Sequence, residues 1–168
     1  TTLSFRFRSL SCNRDNFDYF PVYTNQSGPI TRNCTNCSQC NTKIHTSIRG
    51  DTIQLTSDIN NHGDTCIDFA GKDGIVFEGN NHLIDGSDNG YGLYISSLST
   101  TYGGGSLFGW VVRGADSKYN IIRNIKVRGF DDGVNIGSSY NEYENITTVS
   151  NLGYGVYIRS GYNVFQEI

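Results

Sequence analysis

Tyr119-Asn120-Ile121-Ile122-Arg123-Asn124-Ile125 returns as Tyr140-Asn141-Glu142-Tyr143-Glu144-Asn145-Ile146 and again as Tyr162-Asn163-Val164-Phe165-Gln166-Glu167-Ile168, at offsets of 21 and 22 residues. A second motif keeps the same phase. Gly133-Val134-Asn135-Ile136 and Gly155-Val156-Tyr157-Ile158 lie 22 residues apart, and Gly92-Leu93-Tyr94-Ile95 precedes by 41, close to two periods. Two motifs sharing one period mark a solenoid. About 22 residues at ~3.3 Å each trace at most ~73 Å, enough for one coil of three short strands and three turns, stacked ~4.8 Å from the next. The spacing predicts an interior stack of Ile125, Ile146 and Ile168, with Val134 over Val156 in another. It places Asn120, Asn141 and Asn163 at one turn, where side-chain amides bond along the axis. From Ile44 onward there is room for about five coils.

The composition agrees. The 168 residues are 36% hydrophobic and 17% charged, with 20 Gly, 18 Asn, 11 Tyr, no Met and two Pro. Residues that favour turns and strands dominate, and helix formers are scarce, so the fold class is all-β. No stretch shows a helical period over ten or more residues. A net charge of −3 argues against a general nucleic-acid binder. No apolar run approaches the ~18 residues of a membrane span, and no cofactor-binding motif is present. The chain opens Thr1-Thr2, which reads as a processed or excised piece.

Residues 1–43 differ from the rest. They hold Cys12, Cys34, Cys37 and Cys40, both prolines, and the start Phe5-Arg6-Phe7-Arg8. They read as an N-terminal arm or cap stapled by disulfides, since ~40 residues rarely hold a core unaided. Residues 44–168 form the solenoid, and a polar, Gly-rich insertion near 96–118 breaks its period.

Cys34-x-x-Cys37-x-x-Cys40 has metal-ligand spacing, but a fourth ligand is wanting and His45, His62 and His82 are isolated in sequence. Disulfides in an oxidising compartment are the expected use, with four of the five cysteines in two bridges. That places the protein outside the cell or on its surface. Asn25, Asn33, Asn36 and Asn145 open N-x-S/T sequons. About three are expected by chance in so Asn-rich a chain, so they are permitted glycosylation sites and no more.

Asp51-Thr-Ile-Gln-Leu-Thr-Ser-Asp-Ile59, Cys66-Ile-Asp-Phe69, Gly74-Ile-Val-Phe-Glu-Gly-Asn-Asn-His-Leu-Ile-Asp-Gly86 and Tyr91-Gly-Leu-Tyr-Ile95 carry a family resemblance. Residues 40–168 resemble a right-handed parallel β-helix of the pectin-lyase-like class, and are most similar to NosD-like repeat regions of surface proteins. The resemblance implies a Cys40–Cys66 bridge, which leaves two of Cys12, Cys34 and Cys37 for the second. It implies little about activity, because the scaffold hosts lyases, hydrolases, adhesins and plain rods.

Asp131 and Asp132 resemble the paired carboxylates of polygalacturonases. The accompanying Gly-His-Gly and Arg-Ile-Lys segments are missing, and turn residues ahead of a strand explain the pair as well. A lyase-type Ca²⁺ site would draw on Asp68, Asp85, Asp88, Asp116, Asp131 and Asp132 with Arg113, Arg123 or Arg128 as base, yet their spacing converges nowhere. His82 reads as a structural residue beside a turn. Tyr102 and Trp110, in the insertion, are candidate contacts for a sugar or a protein neighbour. The expected function is therefore a non-enzymatic extracellular structural module that assembles with copies of itself or with other surface proteins into a fibre or layer. The alternative is a carbohydrate-active enzyme, lyase or hydrolase, or a polysaccharide-binding β-helix.

Overall fold

The computed structural model describes residues 28–96 and 116–168. Tyr102, Trp110, Cys12 and Asn25 lie outside the described residues. Twelve strands and one helix follow in the order β1 (Thr31–Cys34), α1 (Cys37–Thr46), β2 (Thr52–Leu55), β3 (Ile59–His62), β4 (Ile67–Asp68), β5 (Val76–Glu78), β6 (Leu83–Gly86), β7 (Tyr91–Ile95), β8 (Ile121–Arg128), β9 (Asp132–Ile136), β10 (Glu142–Val149), β11 (Val156–Ile158) and β12 (Val164–Gln166). All pairings are parallel. One sheet runs β1-β2-β5-β8-β10-β12, with β3 and β6 alongside, and the other runs β11-β9-β7-β4. The chain is a parallel β-solenoid of about five turns with coils of about 23 residues.

The register follows the repeat. Ile125 sits opposite Ile146, and Val134 opposite Val156. Ile125 and Ile146 are buried. The 41-residue offset between the Gly92 and Gly133 motifs needs correction. Leu93 pairs directly with Val134, so those residues make one coil enlarged between Ser96 and Asp116 and not two periods.

Inward residues form columns through the core. Ile53, Phe77, Ile122, Tyr143 and Phe165 follow one another in register, and all but Phe165 are buried. Coil packing is tight enough to require glycine at places. A Cβ on Gly79 would lie 2.7 Å from the Ile125 Cβ, closer than side chains tolerate.

α1 departs from the expectation that no ten-residue stretch is helical. Asn36 caps it by accepting the Gln39 N–H at 2.9 Å, and Gln39 reaches back to the Thr35 N–H and hydroxyl. Its buried face, Cys37, Cys40 and Ile44, recurs at helical spacing and covers the core beside β1, β2 and β4. The helix runs through position 43, where the arm was expected to end. The described disulfides are Cys34–Cys40 and Cys37–Cys66, in place of the Cys40–Cys66 bridge that the resemblance implied. One helical face carries both Cys37 and Cys40, and the helix starts over β4 so that Cys37, not Cys40, meets Cys66. Cys40 then closes onto the end of β1.

Candidate functional site

The residue two places before the strands of the larger sheet is held left-handed in every coil from β2 onward. In order these residues are Gly50, Gly74, Tyr119, Tyr140 and Tyr162, with φ from 57° to 96°. Glycine occupies that conformation freely, whereas a tyrosine there costs about 1–2 kcal/mol. The tyrosines gain a stack in return. Tyr119 and Tyr140 have ring centroids 5.9 Å apart, and Tyr140 and Tyr162 5.1 Å apart with planes within 4°. The Arg49 guanidinium covers the Tyr119 face at 5.4 Å. Tyr162 is 77% exposed, so its outer face carries no ring.

Beside the stack runs the expected asparagine ladder. Asn120 Oδ1 accepts the Ile75 N–H, Asn141 Oδ1 accepts the Asn120 N–H, and Asn163 Oδ1 accepts the Asn141 N–H, at 2.9–3.0 Å. Asp51 starts the column by accepting the Ile30 N–H at 3.0 Å. Burial alone would raise its carboxyl, but the Ile30 and Ile48 N–H groups and the Arg32 guanidinium outweigh it and hold the pKa below the usual carboxylate range. The stack and ladder line an open groove of about 370 Å³ with Ile121, Glu142 and Val164.

Both features stop at the same place, the last coil of the segment. β12 pairs only with β10 and no described strand covers its other edge. Tyr162, Val164, Phe165, Ile158 and Ile168 are exposed there, and Leu152 and Tyr154 extend the apolar patch. The counterparts of Phe165 and Ile168 one coil earlier, Tyr143 and Ile146, are buried. Phe165 stacks on Tyr143 at 5.0 Å and is open on its far side. The arrangement can pair backbone, stack rings and bury aliphatic surface at once.

The other sequence candidates fall apart geometrically. Asp131, just ahead of β9, is exposed, while Asp132, the first residue of β9, is buried. Both Asp132 oxygens serve structure, accepting from Tyr154 N and Asn135 Nδ2 at 3.0 Å. Asp85 accepts two bonds from Arg128, at 2.9 and 2.8 Å, and that guanidinium holds its pKa down. Arg123 bonds Glu78, and Asp116 bonds Lys118. Among the described residues these carboxylates do not converge on one point. His82 Nδ1 contacts Asp58 at 2.8 Å beside a turn, where the carboxylate also accepts the Leu83 N–H. The Leu83 N–H, aided by His82, lowers the Asp58 pKa.

Asn33 and Asn36 are exposed near the start of α1. Asn145 is half-buried, and its Nδ2, the atom a glycan would occupy, donates to Asn124 Oδ1 at 2.9 Å. The patch on the last described coil has a signal in the sequence: the motif residues buried in one copy, Asn141, Tyr143 and Ile146, recur as Asn163, Phe165 and Ile168 in the next. Comparison of the chain with known protein families, curated proteins and solved structures finds no match.

Proposed function

We propose that the chain is a non-enzymatic structural module of the extracellular space or cell surface, which associates with copies of itself through its last coil toward a surface fibre or layer. The observation that carries this reading is the exposure of Phe165 and Ile168, whose counterparts Tyr143 and Ile146 are buried, on an edge of β12 that no described strand covers. Such an edge invites pairing with another chain. Burying each large apolar side chain there contributes about 1.5–3 kcal/mol. Joining two such edges gives the smallest assembly.

Two described disulfides suit an oxidising compartment, and no described helix is long and apolar enough to cross a membrane. Among the described residues, Asn33 and Asn36 are the accessible sequons for a glycan in that setting. The Asp51–Ile59 and Gly74–Gly86 segments support kinship with NosD-like surface proteins. Sedimentation velocity across a concentration series tests the reading. The wild-type chain should shift to larger species, and Phe165→Asp or Val164→Lys should abolish the shift. A chain that sediments as a monomer at every concentration, with or without those changes, overturns it.

A polysaccharide-binding reading draws on the groove beside Tyr119, Tyr140 and Tyr162. Stacking occupies the faces of the inner rings, so only edges and the outer Tyr162 face would meet a sugar. Silence in both a glycan array and a reducing-sugar assay would remove it.

A further inference from the structure

Away from the last coil, three side chains hold chemistry beyond the disulfide that two of them form. Cys37 opens α1, His62 ends β3 and Cys66 stands just before β4. Their two Sγ atoms and a ring nitrogen of His62 all lie within 4.8 Å of one another. The cysteines are buried and His62 is half-buried. His62 Nε2 is 3.3 Å from the Thr65 carbonyl oxygen. Donation of Nε2–H to that carbonyl leaves the lone pair on Nδ1, the arrangement in which a histidine is oriented for a metal by its other nitrogen. Cys34 and Cys40, bonded to each other, stand outside this set.

As the disulfide, Cys37 and Cys66 are poor ligands. A dithiol reductant changes that: it supplies two electrons and two protons, the S–S bond breaks to two thiols, and the reductant leaves as its own disulfide. Zn²⁺ then displaces the two thiol protons. Tetrahedral Zn²⁺ takes Cys sulfur at ~2.3 Å and His nitrogen at ~2.0 Å, which puts the donors about 3.5–3.8 Å apart. The His62 nitrogen is at most about an ångström beyond that spacing from either sulfur, and the two sulfurs, bonded in the bridge, move apart to it on reduction. We infer that reduction of the Cys37–Cys66 bridge creates a Zn²⁺ site of Cys37, Cys66 and His62, with the fourth position open to water. This stands apart from self-association, because neither the residues nor the end of the solenoid are shared.

The test uses the full chain, reduced with a phosphine, desalted without oxygen and titrated with Co²⁺ as a coloured stand-in for Zn²⁺. One equivalent should bind with thiolate-to-cobalt charge transfer and tetrahedral visible bands, and Zn²⁺ should bleach both. Cys66→Ser should abolish binding. His62→Ala should weaken it by more than about tenfold, the loss that even a partner one shell out causes. The double substitution Cys34→Ala with Cys40→Ala should bind as the wild type does. If the reduced chain loses its far-UV circular dichroism, Zn²⁺ must restore it. The inference is overturned by no uptake, by uptake that His62→Ala and Cys66→Ser leave unchanged, by equal uptake in the oxidised chain, or by a lost spectrum that Zn²⁺ does not restore.

Discussion

Asn141 Oδ1 accepts two bonds from Asn120, the backbone N–H at 3.0 Å and the side-chain amide at 3.1 Å, across the step from one coil to the preceding one. Both residues are about 2% exposed or less, so water replaces neither bond. Asn141→Ala leaves the buried Asn120 N–H without an acceptor. Such an orphan costs about 1–3 kcal/mol. Thermal or urea unfolding should show a loss in that range, and a change within about 0.5 kcal/mol would contradict the ladder's role.

Asp51 supplies the acid limb of stability. Its folded-state pKa lies below the unfolded value of about 3.9, so its contribution is present above that value and lost as pH falls through the folded pKa. Stability should therefore drop below about pH 4. Asp51→Asn removes the charge facing Arg32 and the two backbone donors, and should cost about 1–3 kcal/mol near neutral pH while flattening the acid limb. An unchanged acid slope would show that the carboxylate is not the group responsible.

The two bridges should differ in weight. Cys37–Cys66 spans 29 residues and Cys34–Cys40 spans 6. The chain-entropy relation gives about 3.6 kcal/mol for the longer loop and about 2.2 kcal/mol for the shorter. Denaturation of Cys37→Ala with Cys66→Ala should therefore show the larger loss, compared with Cys34→Ala with Cys40→Ala. The reverse order would locate the stabilisation in native packing around α1.

Tyr140 sits at φ 62° inside the ring stack. Tyr140→Gly relieves about 1–2 kcal/mol of backbone strain and forfeits two stacked pairs, worth about 0.5–1.5 kcal/mol each. The two nearly cancel, so glycine should be tolerated within about 1 kcal/mol. Tyr140→Val keeps the strain with a branched Cβ and should be distinctly worse. Equal melting temperatures for the two variants would refute this assignment of strain.

How much was legible follows from the same residues. Asn120, Asn141 and Asn163 recur at one period and do bond along the axis, because stacking fixes equivalent positions above one another. The enlarged coil was misread because length alone cannot separate two plain coils from one with an insertion; only the pairing of Leu93 with Val134 does so. α1 was missed although Asn36 and Gln39 form its start and Cys37, Cys40 and Ile44 its inner face. Its length is only ten residues, and its other positions include Ser38, Asn41, Thr42 and Thr46, polar side chains common in turns, so the periodicity is weak. The pairing of Cys37 with Cys66 depends on that helix, whereas the Cys40–Cys66 expectation rests on the resemblance alone. Asp131 and Asp132 show the opposite case, since turn residues ahead of a strand already explain them, and they stand at the turn into β9.

Association through the last coil is most directly read by residue-resolved hydrogen exchange at low and high protein concentration. Val164 N–H bonds to the Asn141 carbonyl at 2.9 Å, so the alternating Asn163 and Phe165 amides face the open edge of β12. Their protection should rise with concentration while that of β2 and β5 stays constant, and Phe165→Asp should remove the rise. Asn163 and Phe165 amides that exchange fast at every concentration would contradict association through this edge.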